Sequence, residues 1–307
     1  MVNDPKFVLD HWETSWTDFQ RSIEPIIKSG AVDIARLDDV FAQFSSPHDS
    51  FLNDVNDRNC VERDLPRDRA GLPYQNLMVI DGRYVSAPRK LRTEPILADA
   101  VITQITDDTR LIVELGCGSG RNLFYLYCAL PTWPLKYFAC ELTAAGRKVT
   151  ELIAALDPKM DCVTQAFDYR DPDYSFIPRD QNAVFFTNHS IEQITCLDRK
   201  VFDGMLECTD GCVGVHLEPV GWQRDPELKN LVESNSWPDG QTALEIDDRK
   251  LLRNSARWAL DKGHNTNLLE ILDELEASGR IKIRSMAHDI FGTNPFNPAT
   301  LIVWEKV

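Results

Sequence analysis

Apolar and polar positions are arranged differently in the two ends of the chain. From about residue 93 onward, short apolar runs of strand length alternate with segments whose apolar residues recur every three or four positions. The strand-like runs cover 111–115, 135–142, 162–167, 183–188 and 213–219. Strands that alternate with helices of this length predict an α/β fold with a doubly wound, mostly parallel sheet.

The last 60 or so residues depart from this alternation. Helical patterns cover about 247–262 and 267–278, and strand-like runs follow at 281–287 and 300–307. Because the segment that joins the two runs is too short for a crossover helix, we expect them to be antiparallel neighbours. The sheet is therefore predicted to have seven strands and an antiparallel C-terminal hairpin strand. Residues 222–246 carry no strand or strong helix signal, and we interpret them as part of a substrate cover.

Residues 1–92 show no long β alternation. They combine aromatic-rich helical stretches with an irregular segment at 46–74, which is rich in Asp, Arg, Pro and Asn. The run 77–85 predicts a small hairpin, since its central Asp81-Gly82 favours a type I′ turn. We therefore divide the chain into a helical and irregular N-terminal cap, 1–92, and a core domain, 93–307.

Composition narrows the classes of function. The 307 residues include 48 acidic and 33 Lys or Arg side chains, which gives a net charge of −15. Such a chain repels phosphate backbones, so we expect no nucleic-acid partner. No run reaches the roughly 20 apolar residues of a membrane helix, and the N-terminus resembles no signal peptide. The eight scattered cysteines form no CxxC or zinc pattern, so we expect free thiols, no metal and a cytoplasmic protein.

The densest chemical signal is LIVELGCGSGRN at 111–122. Gly116, Gly118 and Gly120 follow a buried strand at every second position, with Glu114 near its end. Glycine at this density costs backbone entropy, so it indicates that another group approaches the backbone closely. In a dinucleotide-binding G-x-G-x-x-G loop the third glycine would fall at Arg121, which disfavours a dehydrogenase.

The segment resembles the first motif of class I S-adenosylmethionine (SAM)-dependent methyltransferases, commonly E/D-x-G-x-G-x-G, and the resemblance extends over about 93–307. It implies SAM as cofactor and S-adenosylhomocysteine as product, with no metal. The glycines would lie against the methionine part of SAM, and Glu114 would orient the loop or reach the ligand's ammonium. Arg92, just ahead of the first core helix, is a candidate partner for the ligand carboxylate. The alternative is that Arg92 is a solvated surface arginine.

The next two strand ends complete the expected cofactor site. Glu141 ends the second strand, where its carboxylate can accept from two ribose hydroxyls, and Leu142 follows it. The alternative is that Glu141 only interacts with the start of the next helix. After the third strand, Asp168 is expected to accept from the adenine amino group beside Phe167. Its alternative is a turn aspartate among core aromatics.

The segment FFTNHSIEQI at 185–194 is expected to face the methyl acceptor. Ser190 and Gln193 match an S-x-x-Q capping box, which removes both from the catalytic candidates. Asn188 is assigned to the cofactor site, and His189 to the substrate pocket as a candidate base. The alternative is that His189 is a loop histidine that only forms a hydrogen bond with the backbone. Glu192 either lines the pocket or favours the helix N-terminus.

The fifth strand ends in VHLEPVGWQ, 215–223. We expect Glu218, at the tip of this strand, to be a catalytic carboxylate. Trp222 is expected to form an apolar wall for the substrate. His216, in mid-strand, is interpreted as a core histidine.

These patterns predict a SAM-dependent methyltransferase for an oxygen or nitrogen of a small polar metabolite, such as a natural-product intermediate or a sugar. We expect a small-molecule substrate, no membrane partner, and a monomer or homodimer. One alternative is a protein or peptide N-methyltransferase in which Glu192 and Glu218 hold a cationic side chain. The other is a non-catalytic SAM-binding module.

Overall fold

The computed structural model describes residues 5–30, 75–88, 91–238 and 246–307. Among them the helices are α1 (Pro5–Lys28), α2 (Glu94–Ile102), α3 (Arg121–Ala129), α4 (Ala144–Ala154), α5 (Lys200–Cys208), α6 (Pro226–Glu233), α7 (Leu251–Lys262) and α8 (Leu268–Ala277). Short 3-10 turns cover Ile191–Gln193, Gly221–Arg224 and Asp248–Lys250. The irregular segment expected at 46–74 lies outside the described residues.

The strands are β1 (Gln75–Ile80), β2 (Arg83–Pro88), β3 (Thr109–Leu115), β4 (Lys136–Glu141), β5 (Cys162–Ala166), β6 (Asn182–Asn188), β7 (Cys212–Glu218), β8 (Ile281–Gly292) and β9 (Ala299–Lys306). They form one sheet in the order β2-β1-β8-β9-β7-β6-β3-β4-β5. Strands β3 to β7 are parallel, and β8 and β9 are antiparallel neighbours, with β9 also antiparallel to β7. The predicted α/β class and the antiparallel ending are confirmed.

All seven predicted strands are present, and the N-terminal hairpin adds two more. Its turn is made by Asp81 and Gly82, both with positive φ, as a type I′ turn requires. Strand β1 pairs with the end of β8, where Val79 lies opposite Gly292. A hairpin that the sequence assigns to the N-terminal cap is therefore an edge of the core sheet.

The order of the strands reverses at β3. The chain runs outward from β3 to β4 and β5, then returns to place β6 and β7 on the other side. Such a switch point opens a crevice at the carboxyl ends of the strands, where ligands bind in open α/β sheets. The glycine loop after β3 and Asn188 at the end of β6 lie on the two sides of this crevice.

Each face of the sheet is covered by an apolar layer. On one face, Ile112 and Phe186 of the sheet share a buried cluster with residues from α1 to α4. On the other face, Val113, Phe185 and Trp304 pack with residues of α5 and α8. Full burial of a side chain of this size contributes roughly 1.5–3 kcal/mol, so the two layers fix the strand ends that carry the site.

Helix α6 was not predicted. Asp225 caps it by accepting hydrogen bonds from the backbone N–H groups of Glu227 and Leu228, and Pro226 occupies its first turn. An Asp-Pro pair in these positions is a helix-start signal. The described part of 222–246 is thus partly helical, and residues 239–245 lie outside the described residues.

Candidate active site

The three motif glycines all have left-handed backbones, with φ of 72°, 55° and 72°. An added Cβ would meet side chains of the protein itself at each of them. It would lie 2.5 Å from Ser190 Cβ at the first glycine, 2.6 Å from Trp16 Cζ2 at the second and 2.8 Å from Thr150 Cγ2 at the third. Both the backbone conformation and the close approach therefore require glycine.

Glu114 is buried beneath this loop. Asn122 at the start of α3 donates to Glu114 Oε1 at 2.6 Å, whereas Oε2 is buried without a hydrogen-bond partner among the described residues. Burial raises the pKa of Glu114 to about 8. An unpartnered carboxylate oxygen at this place is a ready acceptor for a donor or cation brought by a ligand.

Glu141 ends β4 and is already engaged by the protein. Its Oε2 accepts from Gly118 N at 2.9 Å, and its Oε1 accepts from both the N–H and the hydroxyl of Thr143, at 2.8 and 2.6 Å. Each carboxylate oxygen can accept about two hydrogen bonds. Glu141 thus keeps one acceptor position on Oε2, so it can take one ribose hydroxyl but not two without losing a protein contact. Leu142 follows it directly.

The residues after β5 divide between surface and core. Asp168 Oδ1 accepts from the backbone and the side chain of Arg170, both at 2.9 Å. Phe167 and Tyr169 are buried, and the Tyr169 hydroxyl reaches Leu115 O at 2.8 Å. Asp168 therefore has the geometry of a turn aspartate, which is the alternative considered above. Its other oxygen, Oδ2, can still accept a hydrogen bond from a ligand. Its adenine contact stays a prediction.

Two further cofactor candidates lie at the same edge. Asn188 ends β6, and its side-chain Oδ1 is buried without a partner among the described residues. Glu114 lies opposite Phe186 in the parallel pair, so these two side chains share one face of the sheet. Asn188 comes two residues after Phe186 and therefore faces the same side. Arg92 is half-buried two residues ahead of α2, and its contact with a ligand carboxylate stays a prediction.

The capping box predicted at Ser190 is wrong. The Ser190 side chain makes no cap hydrogen bond and donates instead to Leu115 O at 2.9 Å. The 3-10 turn is capped by Glu218, which is fully buried and accepts from the backbone N–H groups of Ser190, Ile191 and Glu192 at 3.1–3.2 Å. Burial, with the nearby charge of Glu192, raises the pKa of Glu218 to about 7. Glu218 thus acts on the turn and does not project into open space.

His189 and Glu192 form a hydrogen-bonded pair at the tip of β6. His189 has a left-handed backbone with φ 52°, a conformation that costs a non-glycine residue roughly 1 kcal/mol or more. Its Nδ1 lies 3.1 Å from Glu192 Oε2, and 28% of its side chain is exposed. Burial opposes protonation of the ring, but the charge of Glu192 raises the pKa of His189 above 6.5.

Two residues that sequence reasoning left without a role converge on the same carboxylate. Asn297, between β8 and β9, donates to Glu192 Oε2 at 2.9 Å, and His264, between α7 and α8, has Nδ1 3.9 Å from that oxygen. Burial alone would raise the pKa of Glu192, but His264, His189 and Asn297 lower it to about 2. The carboxylate is therefore ionised at neutral pH and must accept a hydrogen bond from His189 Nδ1.

The remaining candidates from β7 lie inside the protein. Trp222 is fully buried with Leu228, Val232, Ala256 and Ala259, so it has no exposed surface with which to line a pocket. His216 accepts from Trp304 Nε1 at 2.8 Å and lies 3.0 Å from Thr187 Oγ1. Burial lowers the pKa of His216 to about 3, which agrees with its interpretation as a core histidine.

Helix α1 covers the glycine loop from outside. Its Glu13 accepts from the first backbone N–H groups of α4, Ala144 and Ala145, at 2.9 and 3.0 Å. Three residues on, Trp16 lies against Gly118. An acidic side chain at a helix N-terminus is favoured by the helix dipole, so α1 is anchored at the mouth of the crevice.

No family model and no curated protein matches this sequence. Several solved structures are similar to it. A geranyl diphosphate methyltransferase in complex with GPP and sinefungin is 13% identical, with a TM-score of 0.45, and the match covers 70% of this chain and 77% of that one. A SAM-dependent methyltransferase from Aquifex aeolicus is 10% identical, with a TM-score of 0.42, over 70% and 93% of the two chains.

A third similar structure is a plantazolicin methyltransferase in complex with S-adenosylhomocysteine and a desmethyl analogue. It is 11% identical, with a TM-score of 0.42, over 71% of this chain and 86% of that one. At such low identities and TM-scores these likenesses do not identify a reaction, so the functional assignment depends on the residues of the site.

No group of three or more His, Cys, Asp or Glu side chains among the described residues is arranged to hold a metal ion. No helix in the described ranges is both long and apolar enough to span a membrane.

Proposed function

We propose that the protein is a SAM-dependent methyltransferase that acts on an oxygen or nitrogen of a small polar metabolite. One juxtaposition carries this proposal. A glycine loop above an unpartnered Glu114 oxygen and a His189–Glu192 pair lie at the same edge of the sheet, on the two sides of its switch point. The first arrangement suits a nucleoside with an ammonium group, and the second suits removal of a proton.

The residues at the crevice fit this cofactor. Glu114 Oε2 and Asn188 Oδ1 are buried acceptors without partners among the described residues, and Glu141 Oε2 has room for one more donor. We assign Glu141 to a ribose hydroxyl and Asp168 to adenine. We assign Glu114 to the ammonium group, whose positive charge favours the ionised carboxylate and so displaces the proton that Glu114 otherwise holds at neutral pH. SAM supplies an already activated methyl group on a sulfonium sulfur. The protein has to hold the acceptor in line with that methyl and keep water out.

The His189–Glu192 pair supports a role in proton removal. Because ionised Glu192 holds the proton of His189 on Nδ1, Nε2 is the ring nitrogen that can take a proton from an acceptor. Such a base matters most for an acceptor that keeps its proton until the methyl arrives, which favours a hydroxyl. The base has to be neutral, so the rate should rise with pH through the pKa of His189, above 6.5.

The cap and the charge favour a small substrate. We assign the N-terminal helix α1 to a cover for the crevice, which its anchoring by Glu13 and Trp16 supports, whereas β1 and β2 belong to the sheet. A net charge of −15 disfavours nucleic acid as substrate. A cytoplasmic location and a monomeric or homodimeric state remain part of this proposal.

The peptide N-methyltransferase alternative has less support. It needs Glu192 and Glu218 to hold a cationic side chain, but both carboxylates already accept hydrogen bonds from several protein groups. The SAM-binding module without catalysis differs from our proposal only in the absence of methyl transfer, so a transfer assay separates the two.

The test is transfer of a labelled methyl group from SAM to size-separated fractions of a cell extract. We expect label in small molecules, and His189→Ala should reduce turnover roughly 100-fold while SAM affinity stays the same. Label in protein would support the peptide alternative, and SAM binding without any transfer would support the module. Turnover that is unchanged in His189→Ala would exclude His189 as the base.

A further inference from the structure

Three segments that are distant in sequence meet on one carboxylate oxygen. Glu192 Oε2 accepts from Asn297 Nδ2 at 2.9 Å and from His189 at 3.1 Å, and His264 Nδ1 lies 3.9 Å away. Glu192 and Asn297 are 7% and 8% exposed. A buried carboxylate with this many donors is held in one orientation, since rotation would leave a charge without its partners.

The remaining groups that face Glu192 also restrain it. Gln193 Nε2 donates to its second oxygen, Oε1, at 2.9 Å. The backbone N–H of Glu192 donates to Glu218 Oε2 at 3.2 Å. Among the described residues, the titratable groups that act on the carboxylate are His189, His264 and Glu218, while Asn297 is a neutral donor at any pH.

The turn that carries Asn297 is independently fixed. Asn294 holds it through Oδ1, which accepts from Phe296 N at 3.0 Å, and through its backbone oxygen, which accepts from Asn297 N at 3.1 Å. Phe296 is 1% exposed, and its ring centroid lies 6.4 Å from those of Tyr84 and Trp258. The edge hairpin and α7 thus set the position from which Asn297 reaches Glu192.

We propose that Asn297 is a positioning residue for the His189–Glu192 pair: its amide holds Glu192 so that His189 keeps its proton on Nδ1 and leaves Nε2 as the acceptor. An imidazole without such a partner carries its proton on either nitrogen, so the tautomer depends on the bond at Nδ1. The catalytic meaning of this role rests on the proposed function, but the tautomer does not.

The experiment reads the tautomer directly. In the full chain labelled with 15N-histidine, long-range 1H–15N correlations at a pH well above the pKa of His189 report which ring nitrogen bears the proton. The wild type should carry it on Nδ1. Asn297→Leu, which keeps bulk but loses the donor, should move the population toward Nε2 and lower kcat ~10-fold or more, with unchanged affinity for S-adenosylhomocysteine. If Asn297→Leu does not fold, Asn297→Ala, which also removes the donor but is smaller, should give the same result.

Asn230→Leu is the matched control, because it makes the same change at an exposed position of α6 that touches neither Glu192 nor the turn of Asn297. It should leave His189 on Nδ1. The proposal is overturned if the proton of His189 stays on Nδ1 in both Asn297 variants, or if Asn230→Leu shifts the tautomer equally. Since the spectra need no cofactor or acceptor, a shift seen in a protein without methyl transfer would uphold the positioning role and refute only the proposed function.

Discussion

Three glutamates, in β3, in β7 and in the turn after β6, show how the surroundings decide the charge of one residue type. Burial without a full set of donors raises the pKa of Glu114 to about 8. Glu192 is equally buried, but two histidines and an amide lower its pKa to about 2. Glu218 accepts three backbone N–H groups, yet burial and the charge of Glu192 raise its pKa to about 7. The site therefore combines one firmly ionised carboxylate with two that bind protons readily.

Glu114 makes stability depend on pH. Its pKa is higher in the folded chain than its ordinary value of 4.5, so between pH 4.5 and about 8 the folded state holds a proton that the unfolded chain has lost. The free energy of unfolding should then fall as pH rises through this window, by ~1 kcal/mol per pH unit from this group.

Glu114→Gln should remove that contribution, because the amide is neutral at every pH. Urea unfolding at several pH values would show a flatter profile than the wild type, and exposed Glu227→Gln should retain the wild-type slope. Identical slopes for wild type and Glu114→Gln would mean that Glu114 is ionised in the folded state.

At the scale of elements, the glycine loop and the turn after β6 are packed against each other. Gly116 has no room for a side chain because Ser190 Cβ would lie 2.5 Å from it. Ser190 itself is fixed, since its N–H donates to Glu218. The loop that we assign to the cofactor and the turn that we assign to the acceptor are thus joined by one close contact.

Gly116→Ala should therefore destabilise the protein more than Gly279→Ala. Both positions have left-handed φ, 72° and 71°, but nothing lies within 4 Å of an added Cβ at Gly279. We expect a further loss of ~1–3 kcal/mol at Gly116, measured by thermal or urea unfolding. In a Ser190→Gly background most of this difference should disappear. Equal losses at the two glycines would show that Ser190 can move away at little cost.

The elements could be predicted where the signal is local. Strand β3 and its glycine turn are specified by consecutive residues, and so is the Asp81-Gly82 hairpin. The pairing of that hairpin with β8 was not predictable, because nothing in a short run specifies a partner more than 200 residues away, as Val79 and Gly292 are. Ser190 was misassigned for a similar reason: its local pattern fits a cap, but the distant Glu218 supplies the cap instead.

The same limit applies to the site. Glu114, Glu141 and His189 follow strand ends directly, so the alternation of elements locates them at one edge. Asn297 and His264 come from loops more than 70 residues further along, and only the packed structure brings them to Glu192. Their asparagine- and histidine-containing segments carry no spacing that indicates such a role.

At the scale of the whole molecule, α1 connects the N-terminal segment to the core. Phe19 and Ile23 are buried in the same cluster as residues of α3 and α4, and Trp16 covers Gly118. Helix α1 is therefore part of the packed structure and also a wall of the crevice in which we place the cofactor.

Trp16→Ala should weaken this wall. We expect S-adenosylhomocysteine to dissociate several-fold faster, while the exposed Trp133→Ala leaves the rate unchanged. Stopped-flow displacement of the bound product by excess SAM measures the rate. An unaltered dissociation rate in Trp16→Ala would show that α1 does not cover the ligand.

The central claim is that SAM binds across the ends of β3, β4 and β5, with its ribose at Glu141. Calorimetric titration of the full chain with S-adenosylhomocysteine, with NAD as the competing ligand class, tests it most directly. We predict binding of S-adenosylhomocysteine but not of NAD, and at least several-fold weaker binding to Glu141→Ala. Binding of NAD alone, or an affinity for S-adenosylhomocysteine that Glu141→Ala does not change, would contradict the claim.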